Sequence, residues 1–256
     1  NKRGYRKGNA HAAIKENVAA ALLYRADWPA MCKENKNLLD PMCGAGTILI
    51  EAAFIATNTP SGYYRYYYGF LGWKGHDVDL WDDVFDTAES KITEYKGDIR
   101  GFDIDKAVIP QVLENIKEAK LDKLIHVEKG SLSEFEVVES MSNNSGLVCV
   151  NPPYGVRLGD TEELKKLYIE LGEIFVDKLP EWKLTVITGN EDLARIIPLK
   201  LNRKNSLYNG AIKCVICHFT ISESKIKVEA PLSDGGIAFQ NRLQKRKKHL
   251  GKWARK

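Results

Sequence analysis

The stretch Leu38-Leu-Asp-Pro-Met-Cys-Gly-Ala-Gly-Thr47 decides the fold. Asn37-Leu-Leu-Asp40 reads as a short strand, Thr47 to Ala56 as an apolar helix, and the glycines between them as a tight turn. Glycine lets backbone approach a ligand closely, and the first turn of a helix offers unpaired N–H groups. The dinucleotide pattern wants a third glycine and an acid about 20 residues on. It is not met, because the third position of Gly44-Ala-Gly46-Thr-Ile-Leu49 is leucine. An acid precedes the glycines instead, at Asp40, and the next acid at a strand end is Asp103.

Outward from this turn, short apolar runs alternate with helical stretches. Ala12 to Tyr24 is Ala/Leu-rich and helical. Strands are predicted at Gly97–Asp103, Leu124–Val127, Gly146–Val150 and Lys183–Thr188. Helices are predicted from about Lys106 to Ala119 and from Thr161 to Leu179, the second with Asp160 and Glu163 spaced as a capping box. Leu201–Tyr208 and Ala211–Ile221 flank Asn209-Gly210, a hairpin signal. Alternating strands and helices predict an α/β fold with a mostly parallel sheet covered on both faces, the hairpin adding an antiparallel strand at or near one edge. An aromatic insert at about 59–83, with Tyr63, Tyr64, Tyr66, Tyr67, Tyr68, Phe70 and Trp73 around Arg65, breaks the rhythm.

The chain has 256 residues, 44% hydrophobic and 28% charged, enough to bury a core and against global disorder. No apolar run approaches the ~18 residues of a spanning helix. The first residue is Asn1, and the chain reads as a piece of something longer. The net charge of +4 is uneven. Residues 1–15 carry five Lys/Arg and residues 241–256 carry eight, neither with an acid, so the body between is acidic. Basic ends of this kind suit a polyanion. The five cysteines, Cys32, Cys43, Cys149, Cys214 and Cys217, form no disulfide framework, which predicts reduced, buried thiols in a cytoplasmic protein. Cys214-Val-Ile-Cys217 has no second pair at ligand spacing, so no metal is expected.

Two features carry chemistry. Asp40 suits an ammonium or sulfonium charge, and Asp103 suits the two hydroxyls of a ribose. Together with the glycine turn they describe a site for S-adenosylmethionine (AdoMet). At Val148-Cys-Val-Asn-Pro-Pro-Tyr-Gly155 a rigid polar turn follows a buried strand, where ligands of open α/β sheets bind. The prolines fix φ and remove two donors, leaving the Asn151 side-chain oxygen and the Pro152 carbonyl as acceptors. Two such acceptors grip an exocyclic –NH₂ on a planar base and turn its lone pair toward an electrophilic methyl. The Tyr154 ring face can stack the base, worth ~1–3 kcal/mol. On this reading only the ring face acts, and the hydroxyl is expected to be dispensable.

These residues, with Arg3-Gly-Tyr-Arg6, Ala13-Ile-Lys-Glu16, Gly101-Phe-Asp-Ile-Asp105 and the stretch from Phe70 to Trp81, resemble the THUMP-associated class I AdoMet-dependent rRNA guanine-N2 methyltransferases of bacteria. The resemblance implies a seven-stranded, Rossmann-like methyltransferase domain over residues 1–222. It implies AdoMet contacts at Asp40, Cys43, Gly44, Ala45, Gly46 and Asp103. At the turn after the third strand the family usually carries an acid, where this chain has Gly130-Ser131-Leu132. Ser131 would accept from the adenine amine and the Leu132 N–H would donate to the ring. Asn151, Pro152 and Tyr154 match the catalytic motif, with Pro153 and Tyr154 against the substrate base. The implied reaction methylates the N2 amine of a guanosine in 23S rRNA. Phe239 to Lys245 and Leu250 to Arg255 resemble the junction into a second methyltransferase. Residues 223–256 would then be a linker and basic helical segment, with a THUMP domain expected upstream and that second domain downstream. The alternatives are a DNA adenine-N6 methyltransferase, a protein glutamine methyltransferase, and a non-catalytic RNA-binding module in ribosome assembly.

Overall fold

The computed structural model describes residues 3–6, 14–142, 144–155 and 161–221. In chain order the elements are α1 (Glu16–Arg25), α2 (Trp28–Met31), β1 (Asn37–Asp40), α3 (Thr47–Ala56), α4 (Val78–Glu89), β2 (Ile99–Asp103), α5 (Ile109–Glu118), β3 (Ile125–Lys129), α6 (Glu139–Ser142), β4 (Gly146–Val150), α7 (Thr161–Lys178), β5 (Lys183–Thr188), α8 (Glu191–Arg195), β6 (Leu201–Asn209) and β7 (Ile212–Thr220). Short 3-10 turns occupy Cys32–Glu34 and Gly69–Gly72. Ala12, Ala13, Asp160, the linker and the basic segment of the sequence reading lie outside the described residues.

The seven strands run in the order β3-β2-β1-β4-β5-β7-β6. Neighbours are parallel from β3 through β5, and β7 is antiparallel to both β5 and β6. The antiparallel strand is therefore second from the edge.

Strand side chains alternate between the two faces of a sheet, and the sequence supplies apolar residues for both. Leu38, Ile99, Leu147, Cys149, Cys214 and Ile216 point into the core packed by α1, α3 and α5. Leu39, Phe102, Val148, Val150, Val215 and Cys217 point into the core packed by α7 and α8. That alternation puts Cys214 and Cys217 on opposite faces, so they cannot share a metal. All five cysteines are buried and free. His218, their neighbour, bonds Thr185 Oγ1 at 3.0 Å and Asn205 Oδ1 at 3.2 Å within the sheet.

Beyond shifts of a few residues at the ends of α1, β2, α5 and β3 and the short helices α2, α6 and α8, two details differ from the sequence reading. The hairpin loop is Gly210-Ala211, with Asn209 paired to Ile212, one residue later than expected. Gly210 has φ +67° and Ala211 is not among the positive-φ residues. This is the type II′ pattern, which fits the strand twist with glycine at the first loop position. The second half of the aromatic insert is helical. Asp77 accepts the Leu80 N–H at 3.0 Å and caps α4, which runs past residue 83 to Glu89. Among the described residues, no helix is long and apolar enough to cross a membrane.

Candidate active site at the C-terminal edge of the sheet

β1 leads to β2 on one side, while β4 and β5 lie on the other, so the order reverses between β1 and β4. Open α/β sheets bind ligands at such a switch point, beyond the C-terminal ends of the strands. The glycine turn leaves β1 there, and Asn151 leaves β4 there. The ends of β2 and β4 stand two strand spacings, about 10 Å, apart.

The glycine turn is pinned from three directions. Cys43 N–H donates to the Phe102 carbonyl at 3.0 Å, and Gly46 N–H to the Cys43 carbonyl at 2.8 Å. Gly44 N–H donates to Asp103 Oδ2 at 2.9 Å. The buried Asn115 side chain of α5 donates to the Ala45 carbonyl at 3.0 Å. Gly46 has φ +76°, and a Cβ there would lie 2.4 Å from Val112 Cγ2, so the helix behind leaves no room for a side chain. At Gly44, also with positive φ, an added Cβ would meet no atom within 4 Å. The turn is tight behind Gly46 and open over Gly44.

Asp40 is 1% exposed. Its Oδ1 accepts the Met42 N–H at 3.2 Å. Burial, reinforced by the Asp103 charge, pushes its carboxyl up to about 8. The Cys43 thiol is raised by burial and by both carboxylates. Two acids thus sit at one turn, which is chemistry that a cation relieves. Asp103 Oδ1 accepts the Asp105 N–H at 3.0 Å, and the Asp103 carbonyl accepts the Gly130 N–H at 3.1 Å.

At the end of β3, Ser131 Oγ donates to Glu134 Oε2 at 2.9 Å. Glu134, absent from the sequence reading, therefore supplies an acid at this turn. Leu132 is buried in the core that contains the stacked Phe102 and Phe135 rings. On β4, Leu39 pairs with Val148, and Cys149, the next residue, feels the Asp40 charge. Pro152 is buried, Asn151 and Tyr154 are half-buried and Pro153 is exposed. The two halves of the predicted site, the glycine turn and the Asn-Pro-Pro-Tyr turn, leave adjacent strands.

Sequence reasoning read the segment 3–6 through the resemblance and as part of a basic end suited to a polyanion, whereas two of its bases are engaged within the fold. Arg3 forms a two-point ion pair with Glu51 of α3, Nε and Nη2 each donating at 3.1 Å, and the Tyr5 hydroxyl donates to Glu51 Oε1 at 3.3 Å. Arg6 donates to Thr47 Oγ1, at the start of α3, and to the Ile14 carbonyl. This segment straps the helix that follows the glycine turn. Among the described residues, no group of three or more His, Cys, Asp and Glu is placed to hold a metal ion.

A sheet of this order, with a glycine turn after β1, an acid ending β2 and an Asn-Pro-Pro-Tyr turn after β4, defines a class I methyltransferase. The chain belongs to the UPF0020 family, RMKL-like methyltransferase domain, whose model matches residues 3–218. It is 39% identical over its whole length to the ribosomal RNA large subunit methyltransferase K/L of Syntrophotalea carbinolica. It is 39% identical over 98% of its length to the protein of that name from Allochromatium vinosum. The chain spans 37% and 35% of those relatives' own lengths. Among solved structures it is similar to SMU.472 complexed with SAH, at 32% identity and TM-score 0.76, covering 88% of this chain and 56% of that one. It is also similar to a predicted N6-adenine-specific DNA methylase from Listeria monocytogenes, at 33% identity and TM-score 0.74, covering 85% and 54%.

Proposed function

We propose that the chain binds AdoMet and methylates the exocyclic N2 amine of a guanosine in large-subunit rRNA. The observation that carries this reading is the pairing, at one switch point, of a two-acid glycine turn with the acceptor pair of Asn151 and Pro152. The donor set fits AdoMet. Asp40, a buried acid whose carboxyl is raised further by the Asp103 charge, takes a positive charge. Asp103 keeps acceptor sites for ribose hydroxyls, Ser131 and Glu134 face an amine, and the space over Gly44 admits a ligand against the backbone. AdoMet, when bound, supplies a sulfonium methyl as the electrophile.

The chain's own residues then orient the acceptor. The Asn151 oxygen and the Pro152 carbonyl take the two amine hydrogens and hold the nitrogen lone pair out of conjugation. The ring of Tyr154 stacks the base, which is flipped out of its RNA. Catalysis is mostly proximity and orientation. No residue is assigned as a base, since the nitrogen becomes acidic once methylated and its proton can pass to water. Ribosomal RNA as substrate is supported by the names of the full-length relatives, and a cytoplasmic setting by the five free thiols.

The same turn would serve an adenine N6 amine, and one structural relative carries that description. Incubation with methyl-tritiated AdoMet and either deproteinised large-subunit rRNA or duplex DNA separates the two. Label in RNA alone, lost in Asn151→Ala, supports this reading; label in DNA alone refutes it.

A further inference from the structure

The β6–β7 hairpin outruns the sheet. Thr188, the last residue of β5, pairs with Val215 of β7. Cys214, Lys213 and Ile212 lie beyond that pair and stay bonded to β6. Three residues at strand rise carry the tip about 10 Å past the C-terminal end of β5, the edge on which the glycine turn and the Asn-Pro-Pro-Tyr turn open. The tip stands beside Tyr154. A Cβ on Gly189 would be 2.9 Å from Tyr154 Cδ2 and Cε2 and 3.2 Å from Ile212 Cγ2, so the ring and the hairpin are neighbours across one glycine.

The tip exposes aromatic and basic groups. Tyr208 is 65% exposed and pairs with Lys213 across the two strands, which sets the two side chains next to each other on one face. Lys15, just before α1, brings its Nζ to 3.7 Å from where a Gly210 Cβ would be. Residues 193–221 carry five Lys/Arg and no acid. Arg195 and Lys204 bridge Glu191, and Arg203 bridges Asp27. Lys15 and Lys213 are exposed and make no ion pair among the described residues. A ring left in water at the rim of the site, with two uncommitted cations, offers what an unpaired polynucleotide strand needs: a π face for a base and point charges for phosphates.

We propose that the hairpin tip is an RNA-contact surface: Tyr208 stacks a base near the flipped target, and Lys15 and Lys213 take phosphates of the same strand. The proposal rests on the reading of RNA as substrate and gives that strand a second attachment beside Tyr154. Stacking accepts any base, so the contact holds the strand without reading its sequence. Charge selects the hairpin over the other exposed rings. Tyr66 is 94% exposed and Trp73 69%, but residues 59–89 around them carry six acids against two bases, a surface that repels phosphate.

The test is filter binding of deproteinised large-subunit rRNA by the full chain over a range of salt, with methyl transfer and AdoMet calorimetry alongside. Tyr208→Ala is expected to weaken RNA binding by about fivefold to 100-fold, the range for one stacked base, and Tyr208→Trp to keep it within about twofold. Replacing Lys15 and Lys213 together by alanine should flatten the slope of log affinity against log salt by about 1.4, the value for two phosphates of a single strand. In each variant the loss should fall on KM for RNA, with kcat at saturating RNA and AdoMet affinity unchanged. Tyr66→Ala, on the acidic insert, should bind RNA as the unmodified chain does. Unchanged affinity in Tyr208→Ala, an unchanged salt slope in the double lysine variant, or an equal loss in Tyr66→Ala would each overturn the proposal. If the unmodified chain binds RNA and methylates none of it, the functional reading fails, and the binding series still decides the role of the hairpin.

Discussion

The backbone N–H of Gly44 donates to Asp103 Oδ2 at 2.9 Å, so the glycine turn that ends β1 is tied to the acid that ends β2. Asp103 Oδ1 is also engaged, by the Asp105 N–H. A carboxylate offers about four lone-pair sites, which leaves acceptor capacity for two hydroxyls.

Asp103→Ala is therefore expected to weaken AdoMet binding by about 1.5–3 kcal/mol, the range for a hydrogen bond to a charged group. It also frees the Gly44 N–H, so the turn itself loosens. Calorimetry reading an unchanged affinity would move the ribose acceptor elsewhere, to Asp105.

Asp40 predicts a pH dependence. Its carboxyl is raised from 3.8 to about 8 by burial and by Asp103. The fold thus favours the neutral form. Its contribution to stability is complete below about pH 4 and disappears as pH rises through 8. A cation beside it favours the ionised form, so binding AdoMet at pH 7 should release a proton from Asp40. Calorimetry in two buffers of different ionisation enthalpy measures that release. Asp40→Asn should abolish this component, and an identical proton count in the two proteins would contradict the assignment.

Asn151→Ala is expected to abolish turnover while AdoMet affinity stays within a factor of about two, because the side chain acts on the reacting amine alone. Parallel losses in cofactor binding and rate would mark Asn151 as structural instead.

How much of this was legible in the sequence depends on what each residue needed. β1, β4, β5 and α3 could be bounded to the residue, because short, mostly apolar stretches give way to polar or glycine residues at Asp40, Asn151, Gly189 and Thr57. The helix α4 was not legible. Val78, Leu80 and Val84 are exposed, so its apolar residues do not form the single buried stripe that a periodicity reading seeks; the Asp77 cap was the available signal. Glu51 and Asn115 are buried polar residues inside helices. Their partners lie 48 and 70 positions away, beyond any local spacing rule. Asn209 was read as a turn residue, and only the one-residue shift of the hairpin reveals it as the last residue of a strand.

The strap on α3 makes a stability prediction. Glu51 is 2% exposed and bonded by Arg3 and Tyr5. Glu51→Ala leaves the Arg3 charge and the Tyr5 hydroxyl without their acceptor, and removing one partner of a buried pair costs about 3–5 kcal/mol. Arg3 keeps some access to water, so the lower end applies. Urea denaturation should show the loss; a midpoint shift worth under about 1 kcal/mol would place the strap's energy elsewhere.

The basic segment 241–256 carries eight Lys/Arg and no acid. Deleting residues 237–256 is expected to weaken RNA binding and flatten its salt dependence, as for any loss of phosphate contacts, while AdoMet affinity stays unchanged. Filter binding at low and moderate salt measures both; an unchanged affinity and slope would remove the segment from the RNA interface.

The central claim is transfer of a methyl group to the N2 amine of guanosine in RNA. It is tested most directly by incubating the chain with deproteinised large-subunit rRNA and methyl-deuterated AdoMet, digesting the RNA to nucleosides and identifying the labelled product by mass spectrometry. The account predicts deuterium-labelled N2-methylguanosine from the wild-type chain and none from Asn151→Ala. Label found only in N6-methyladenosine, or only on the ribose, would contradict it.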